Sequence, residues 1–247
     1  MNKVITEETP LSEKDCFYMM DRDKEAFTYP LHKHEAMELN FVEHCDGARR
    51  IVGDSIEVLG KYDLVLVGSG LEHTWDQYDC KSHSIHEITI QFPPDLLGEQ
   101  FLAKNQLSSL RALFHNAKRG VAFELDTIME LYSKITSITQ AQPGFYRMLK
   151  LLEILYELSL KENYHLLASR SFSNVKKTPE SVRVRQVEEY IDMHYKKEIR
   201  LKTLSDIAEM TPAAFSRYFR TKTGKTVSDY IIDIRLGHAA RQLVDST

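Results

Sequence analysis

Along the first hundred residues the apolar positions fall in short alternating runs. Phe17 to Met20, Glu38 to Val42, Arg50 to Leu59, Leu64 to Val67 and Ser84 to Phe92 are rich in β-branched or aromatic residues. Turn signals at Asp46-Gly47, Gly53-Asp54, Gly60 and Gly68-Ser69-Gly70 separate them, and the spacing predicts a sandwich or small barrel. From Leu102 the period lengthens to that of a helix. Leu107, Leu110 and Phe114 stripe a first helix, closed by Lys118-Arg119-Gly120. Leu125, Ile128, Met129, Tyr132 and Ile135 stripe a second over about 125–139. A third follows Gln142-Pro143-Gly144 and carries Met148, Leu149, Leu151, Leu152, Ile154, Leu155 and Leu158. So wide a stripe fits either a homodimer interface or burial between the strands and the other helices.

The stretch 169–181, SRSFSNVKKTPES, is polar and reads as a linker. Beyond it, Val184, Val187 and Ile191 share one helical face. Leu201, Leu204 and Ile207 with Ala208 share another, and Phe215 and Phe219 a third. Thr211 and Pro212 between the last two are an N-cap and a first-turn proline, so the helix restarts there. Two helices joined by a tight turn, with Ala213, Ser216, Arg217 and Arg220 opposite the phenylalanines, follow the helix-turn-helix plan. The same periodicity also fits an ordinary helical hairpin. Glu209 occupies the turn, where a positive φ would cost a side chain of order 1 kcal/mol. Thr226 with Asp229 starts a long helix packed through Tyr230, Ile234, Ala239, Ala240 and Leu243.

Charge sharpens this division. The net charge is −4, but residues 1–168 carry a balance of −9 and residues 169–247 a balance of +5. An acidic body on a basic tail suits a sensor joined to a reader of phosphate-rich polymers. Cys16, Cys45 and Cys80 form neither a zinc pattern nor a disulfide framework, which fits a reducing cytoplasm. No stretch reads as a membrane span or signal peptide.

The candidate chemistry lies in the strands. His32, His34 and Glu38 share strand parity, and His73 follows the glycine-bounded strand 60–68. Three imidazoles and a carboxylate suit zinc, iron, manganese or nickel. The alternatives are a pocket for an organic effector, walled in part by Trp75 and Tyr78, and histidines with a purely structural role.

Two resemblances bear on these readings. Ile199-x-Leu201-x-x-Leu204, Met210-Thr211-Pro212, Phe215-Ser216-Arg217-Tyr218-Phe219, Thr223-Gly224-Lys225, Tyr230 and Arg235-Leu236-x-x-Ala239 resemble the DNA-binding region of AraC/XylS transcription regulators in order and spacing. His32, His34, Glu38, Gly60, Gly70 and His73 resemble the two metal motifs of the cupin barrel. They depart from it at Gly68, where many cupins have proline, and in a long gap to Gly47. Cupin-like sensors are common in AraC-type regulators, and many bind organic effectors without metal. The region 121–123 also resembles those sensors.

The resemblance implies an α+β chain: a cupin-like barrel or sandwich over 1–104, a helical dimerisation segment over 105–168, a linker over 169–182, and an AraC-type DNA-binding domain over 183–247. Within that last domain it implies one helix-turn-helix and its linker helix; the family's second unit is absent from the chain, so either the sequence is trimmed or the protein works with one unit. It further implies a cytoplasmic homodimeric regulator, not an enzyme, with double-stranded DNA, a small-molecule effector and, for an activator, RNA polymerase as partners. Ala213, Ser216 and Arg217 would face base edges, and Arg220, Lys222, Thr223 and Lys225 the phosphates. The competing expectation is a metal-dependent cupin enzyme or metal sensor built on His32, His34, Glu38 and His73.

Overall fold

The alternating stretch forms strands that pair into two sheets. The computed structural model describes residues 4–169, 186–187, 190–191, 193–223 and 225–245, without the side chains of Lys222, His238 and 240–245. The strands are β1 (Ile5–Thr6), β2 (Tyr18–Lys24), β3 (His32–Lys33), β4 (Met37–Glu43), β5 (Arg49–Val52), β6 (Ser55–Val58), β7 (Tyr62–Val67), β8 (His73–Asp76), β9 (Ile85–Phe92), β10 (Val121–Phe123) and β11 (Tyr164–Leu166). One sheet runs β1-β3-β8-β5-β6 and the other β11-β10-β7-β4-β9-β2. Pairing is antiparallel except for β1 with β3. The helices are α1 (Glu99–Leu102), α2 (Ser108–Asn116), α3 (Leu125–Ser137), α4 (Phe145–Ser159), α5 (Leu201–Ile207), α6 (Pro212–Thr223) and α7 (Val227–Asp245). Together they make an α+β chain. Among the described residues, no helix is long and apolar enough to cross a membrane.

The chain divides into two compact units, residues 2–167 and 168–247. In the first, the six-stranded sheet turns one face to the helices. Leu39 and Phe41 of β4, Leu64 and Leu66 of β7, and Ile88 and Ile90 of β9 form one core with Leu110, Leu113, Ile128, Leu131, Ile135 and the α4 residues Leu151, Ile154, Leu155 and Leu158. Because side chains alternate along a strand, Glu38 and Asn40 and their neighbours Glu87, Thr89 and Gln91 take the opposite face. They too are buried.

Several sequence expectations are refined. The 50–59 segment is a hairpin, with Val52 opposite Ser55 and Gly53 at φ 59 between them. The short strands β3, β8, β10 and β11 are additions that too few residues announced. Only part of the broad α4 stripe is covered: Leu149 is exposed, as are Phe145, Tyr146 and Tyr156 on the same helix and Leu160 just after it. Leu125 and Met129 of the α3 stripe are exposed as well. At Gly68 the strand end passes so close to another backbone that a Cβ would lie 2.5 Å from the Ala117 carbonyl oxygen. Glycine is therefore required there by space.

One end of the six-stranded sheet is tied across three strands and a helix. His86 Nδ1 lies 2.8 Å from Glu43 Oε1, and its Nε2 lies 2.7 Å from Asp21 Oδ1. Tyr132 on α3 donates to Glu43 Oε2 at 2.9 Å. Partial burial alone would lower the His86 pKa; the two carboxylate partners outweigh it and raise it.

In the second unit, Val187, Ile191, Leu204, Ala208, Phe215, Phe219, Tyr230, Ile231 and Ile234 form one core. Leu201 is exposed, contrary to the expected face, and Ser205 takes a fully buried place beside Leu204. Thr211 caps α6 as expected, its Oγ1 accepting from Ala214 N at 3.3 Å, with Pro212 first in the helix. Thr226 caps α7 by accepting from Asp229 N at 3.2 Å. The end of α5 is a complete Schellman motif. Met210 N donates to Ser205 O at 2.9 Å and Glu209 N to Asp206 O at 3.0 Å. Glu209 sits at φ 55, the left-handed position that glycine usually fills. Val184, the expected linker from residue 170 onward, and the side chains of Ala240 and Leu243 lie outside the described residues.

Two outcomes are expected. Glu209→Gly should stabilise the second unit by about 0.5 to 1 kcal/mol in urea unfolding, since it removes a left-handed side chain; an unchanged or lower midpoint would show that the turn carries no strain. For His86, the raised folded pKa means its contribution is complete below the ordinary value of 6.5 and fades as pH rises through the folded one. Wild-type stability should therefore fall over that window, and His86→Asn should flatten the fall.

Candidate functional site

Two sheets meet at four buried side chains. His32 on β3 stands opposite His73 on β8 in the five-stranded sheet, while Glu38 projects from β4 in the six-stranded sheet. His34 lies in the link between β3 and β4. One donor atom from each residue lies within 4.8 Å of every other. The expected convergence of His32, His34, Glu38 and His73 is present, with all four buried.

The hydrogen bonds around the rings assign their lone pairs. His32 Nδ1 lies 2.9 Å from Pro30 O, His34 Nδ1 2.9 Å from Ala36 O, and His73 Nδ1 2.8 Å from Leu71 O. A carbonyl oxygen accepts only, so each Nδ1 carries a proton, and each neutral ring turns an unprotonated Nε2 inward. Those Nε2 atoms meet a carboxylate: His34 Nε2 lies 3.1 Å from Glu38 Oε2, and His73 Nε2 3.6 Å from Glu38 Oε1. Lone pair facing lone pair is repulsive, so a positive species must lie between them, either protons on the rings or a metal ion. His73 Nε2 is buried with no hydrogen-bond partner.

With small shifts of the rings toward one another, a divalent ion between these donors would satisfy all four groups. The carbonyls behind the rings would then serve as the outer shell that holds ligating histidines in orientation. The donor set of three imidazoles and one carboxylate fits zinc, iron, manganese or nickel.

Without an ion, protons do the balancing. Burial and the neighbouring His73 push the His32 pKa down to about 4. Burial also opposes the charged form of His34, but its hydrogen bond to Glu38 prevails and raises it. Burial works against ionised Glu38, yet the nearby His73 imidazole and the hydrogen bond from His34 hold its carboxyl well below the usual range.

A cavity of about 100 Å³ opens beside the cluster. Its lining includes His32 and Glu38 together with Asn40, Glu87, Thr89 and Gln91 from the inner sheet face. Trp75 lines it as expected, and its Nε1 donates to Asp63 Oδ2 at 2.7 Å. Tyr78 does not line it; that ring is exposed, with the Arg49 guanidinium 4.9 Å from its centroid. Asn40, Glu87, Thr89 and Gln91 escaped the sequence reading because polar residues at period 2 read as a solvent face. The available signal was their position within strands that are otherwise apolar.

On α6, Ala213, Arg217 and Arg220 are exposed and Ser216 is half-buried, its hydroxyl donating to Pro212 O at 2.9 Å. Thr223 is buried, with its hydroxyl on Phe219 O at 2.8 Å and 3.1 Å from Lys225 O. It secures the end of α6 instead of standing on the exposed face. Lys225 is exposed and paired with Asp233. The Lys222 side chain lies outside the described residues.

No protein-family profile matches the chain. Over 56 residues it is 38% identical to YobQ, an HTH-type transcriptional regulator of Bacillus subtilis, a match covering 23% of this chain and 23% of that protein. The chain thus matches less than a quarter of the relative's length. Among solved structures, an apo variant of ToxT from Vibrio cholerae aligns over 91% of this chain and 100% of its own, at 11% identity and TM-score 0.39. Wild-type ToxT with a bound unsaturated fatty acid aligns over 87% of this chain and 94% of its own, at 14% identity and TM-score 0.34.

The cluster should hold about one equivalent of a divalent transition metal per chain, measured by elemental analysis after purification and zinc reconstitution. His34→Ala or Glu38→Gln should abolish retention. EDTA should lower the Tm and added zinc restore it; a Tm indifferent to both would leave the protonated cluster as the native state.

Proposed function

We propose that the chain is a ligand-responsive, sequence-specific DNA-binding transcription regulator of the AraC/XylS type, with residues 1–104 as a cupin-like sensor and 183–247 as the DNA reader. The 38% identity to an HTH-type transcriptional regulator carries this reading. The geometry of α5 and α6 supports it: a four-residue connection with a fixed left-handed turn, and a second helix whose outer face presents Ala213, Arg217 and Arg220.

In this reading α6 enters the major groove. Arg217, long, charged and exposed, reads a base edge, guanine being the natural partner for its paired donors. Ala213 and Ser216 pack on neighbouring bases, and Arg220, Lys222 and Lys225 hold phosphates and set register. Lys225 would exchange Asp233 for a phosphate. Thr223 contributes by holding the end of the helix.

The first unit acts as sensor, with His32, His34, Glu38 and His73 holding a divalent metal and Trp75 walling the effector cavity. The metal, when bound, supplies a Lewis-acidic contact to a ligand oxygen. The helical segment 105–168 pairs two copies through the exposed apolar residues Phe145, Tyr146, Leu149 and Tyr156 of α4. Two copies would place two readers on neighbouring DNA sites, in the cytoplasm, where RNA polymerase is the further partner of an activator. A metal-dependent enzyme is the second reading, favoured by a metal-ready cluster that opens on a cavity.

Selection from a random DNA pool followed by affinity measurement tests the first reading. A preferred sequence should emerge, and Arg217→Ala should cost about 1 to 3 kcal/mol on it while relaxing preference at one position. An equal loss on every sequence would remove Arg217 from base reading. Absence of any DNA preference in a chain extended to include a second reader unit would overturn the regulator itself.

A further inference from the structure

The inner face of the six-stranded sheet is polar where a sandwich core is normally apolar. Asn40, Thr89 and Gln91 are buried there, and Thr74 faces them from the other sheet. Most of these groups satisfy one another or nearby backbone, Thr89 Oγ1 donating to Asn40 Oδ1 at 3.3 Å and Thr74 Oγ1 to Tyr29 O at 2.8 Å, so the opening for a polar occupant is the acceptor left over on Gln91.

Two ends of the cavity have distinct chemistry. At the cluster end, Gln91 Nε2 donates to Glu38 Oε2 at 3.1 Å, which fixes the amide orientation. Gln91 Oε1 is then a buried acceptor without a partner, in the cavity wall. At the mouth, buried Glu87 takes Arg22 Nη2 and Lys24 Nζ on the same oxygen, each at 2.8 Å, while Asn40 Nδ2 approaches its other oxygen at 3.3 Å. Two cations on one carboxylate leave an excess positive charge, and both keep further N–H donors. The Arg22 side chain is 50% exposed, so those donors are reachable from solvent.

The ends are set apart by the strand register. Glu38 stands opposite Gln91, Asn40 opposite Thr89, and Arg22 opposite Glu87. Each two-residue step is roughly 7 Å. Since Glu87 leans back to Asn40, the gap from the Gln91 amide to the cationic mouth is nearer one step than two. Charge adds a condition. Lining carboxylates Glu7, Glu38 and Glu87 outnumber Arg22 and Lys24. A divalent ion at the cluster reverses that balance in favour of an anion.

We propose that the cavity binds a small hydroxycarboxylate, a five- or six-carbon sugar acid. Its carboxylate sits on Arg22 and Lys24, its middle hydroxyls lie over Asn40 and Thr89, and a far hydroxyl donates to Gln91 Oε1 beside the metal. A hydroxyl suits that end better than an ammonium group, because it offers Gln91 a proton while leaving an oxygen for the cation. The inference rests on reading the first unit as a metal-holding sensor, and it names what is sensed.

Isothermal titration calorimetry on the full chain, zinc-loaded, tests it with D-gluconate and D-glucuronate. At least one acid should bind. D-glucose, lacking the charge, and hexanoate, lacking the hydroxyls, should each bind at least about tenfold more weakly. Arg22→Gln and Lys24→Gln lie at the cavity mouth and should each weaken the acid by about tenfold while leaving the affinity for uncharged glucose unchanged. Chelation should weaken the acid as well. Heat with neither acid, equal binding of glucose, or affinity unchanged by chelation would each overturn the proposal. A chain that selects DNA but binds neither acid would sink this inference alone, and one that binds gluconate without DNA preference would sink the regulator alone.

Discussion

The carboxylate of Glu38 is the constraint on which the first unit depends. It projects from a strand buried on both faces and meets the His73 imidazole carried by the other sheet and the His34 imidazole of the link between the sheets. A buried carboxylate is tolerable only when positive charge and hydrogen-bond donors surround it. Here His34, His73 and Gln91 do so from three separate elements. The cluster is therefore a joint between the sheets as well as a site. Removing one member would leave the others buried without compensation, which commonly costs more than the net worth of the contact.

That joint sits on a sheet with two different jobs. The residues of β4 and β9 that face the helices are methionine, leucine, isoleucine and phenylalanine, and they bury enough apolar surface to hold the unit together. The opposite face, one residue out of phase, is thereby released from packing duty and carries glutamate, asparagine, threonine and glutamine. A one-residue slip in register would exchange the two faces. The tie of Glu43, His86, Asp21 and Tyr132 at the far end of the sheet opposes such a slip, because it links three strands and a helix at fixed positions.

What the sequence revealed follows from this architecture. The long strands were legible from β-branched runs between glycine turns, and the helices from their stripes, because each is a local pattern of many residues. His32, His34 and Glu38 do converge, but not by the strand parity expected of them: the chain breaks between β3 and β4, which lie in different sheets, and His34 sits in the link. Arg22, Glu87 and Gln91 could not be grouped from sequence, since their meeting depends on which strands pair, and pairing between β2, β4 and β9 leaves no local mark. The two-residue strand β3 is too short to show a period at all. The α4 stripe was legible as apolar but not as half covered, because coverage depends on how three helices share one sheet face.

The second unit shows how a small core can set a helix with precision. Nine buried residues hold α5, α6 and α7 together, with Phe219 edge-on to Tyr230 at 5.2 Å between ring centroids. Burial of Phe215 and Phe219 on one face fixes the rotation of α6, and the preceding turn fixes where the helix begins. The turn does so through the paired bonds of the Schellman motif and the Thr211 cap. Arg235 adds a second brace, donating to Tyr195 O at 2.8 Å and Lys197 O at 2.9 Å, which holds the segment before α5 against α7. A left-handed glutamate at 209 persists within this arrangement, although glycine would hold the same conformation at lower backbone cost. The bracing on both sides over-determines the turn, so the strain is absorbed without loosening the direction in which Arg217 points.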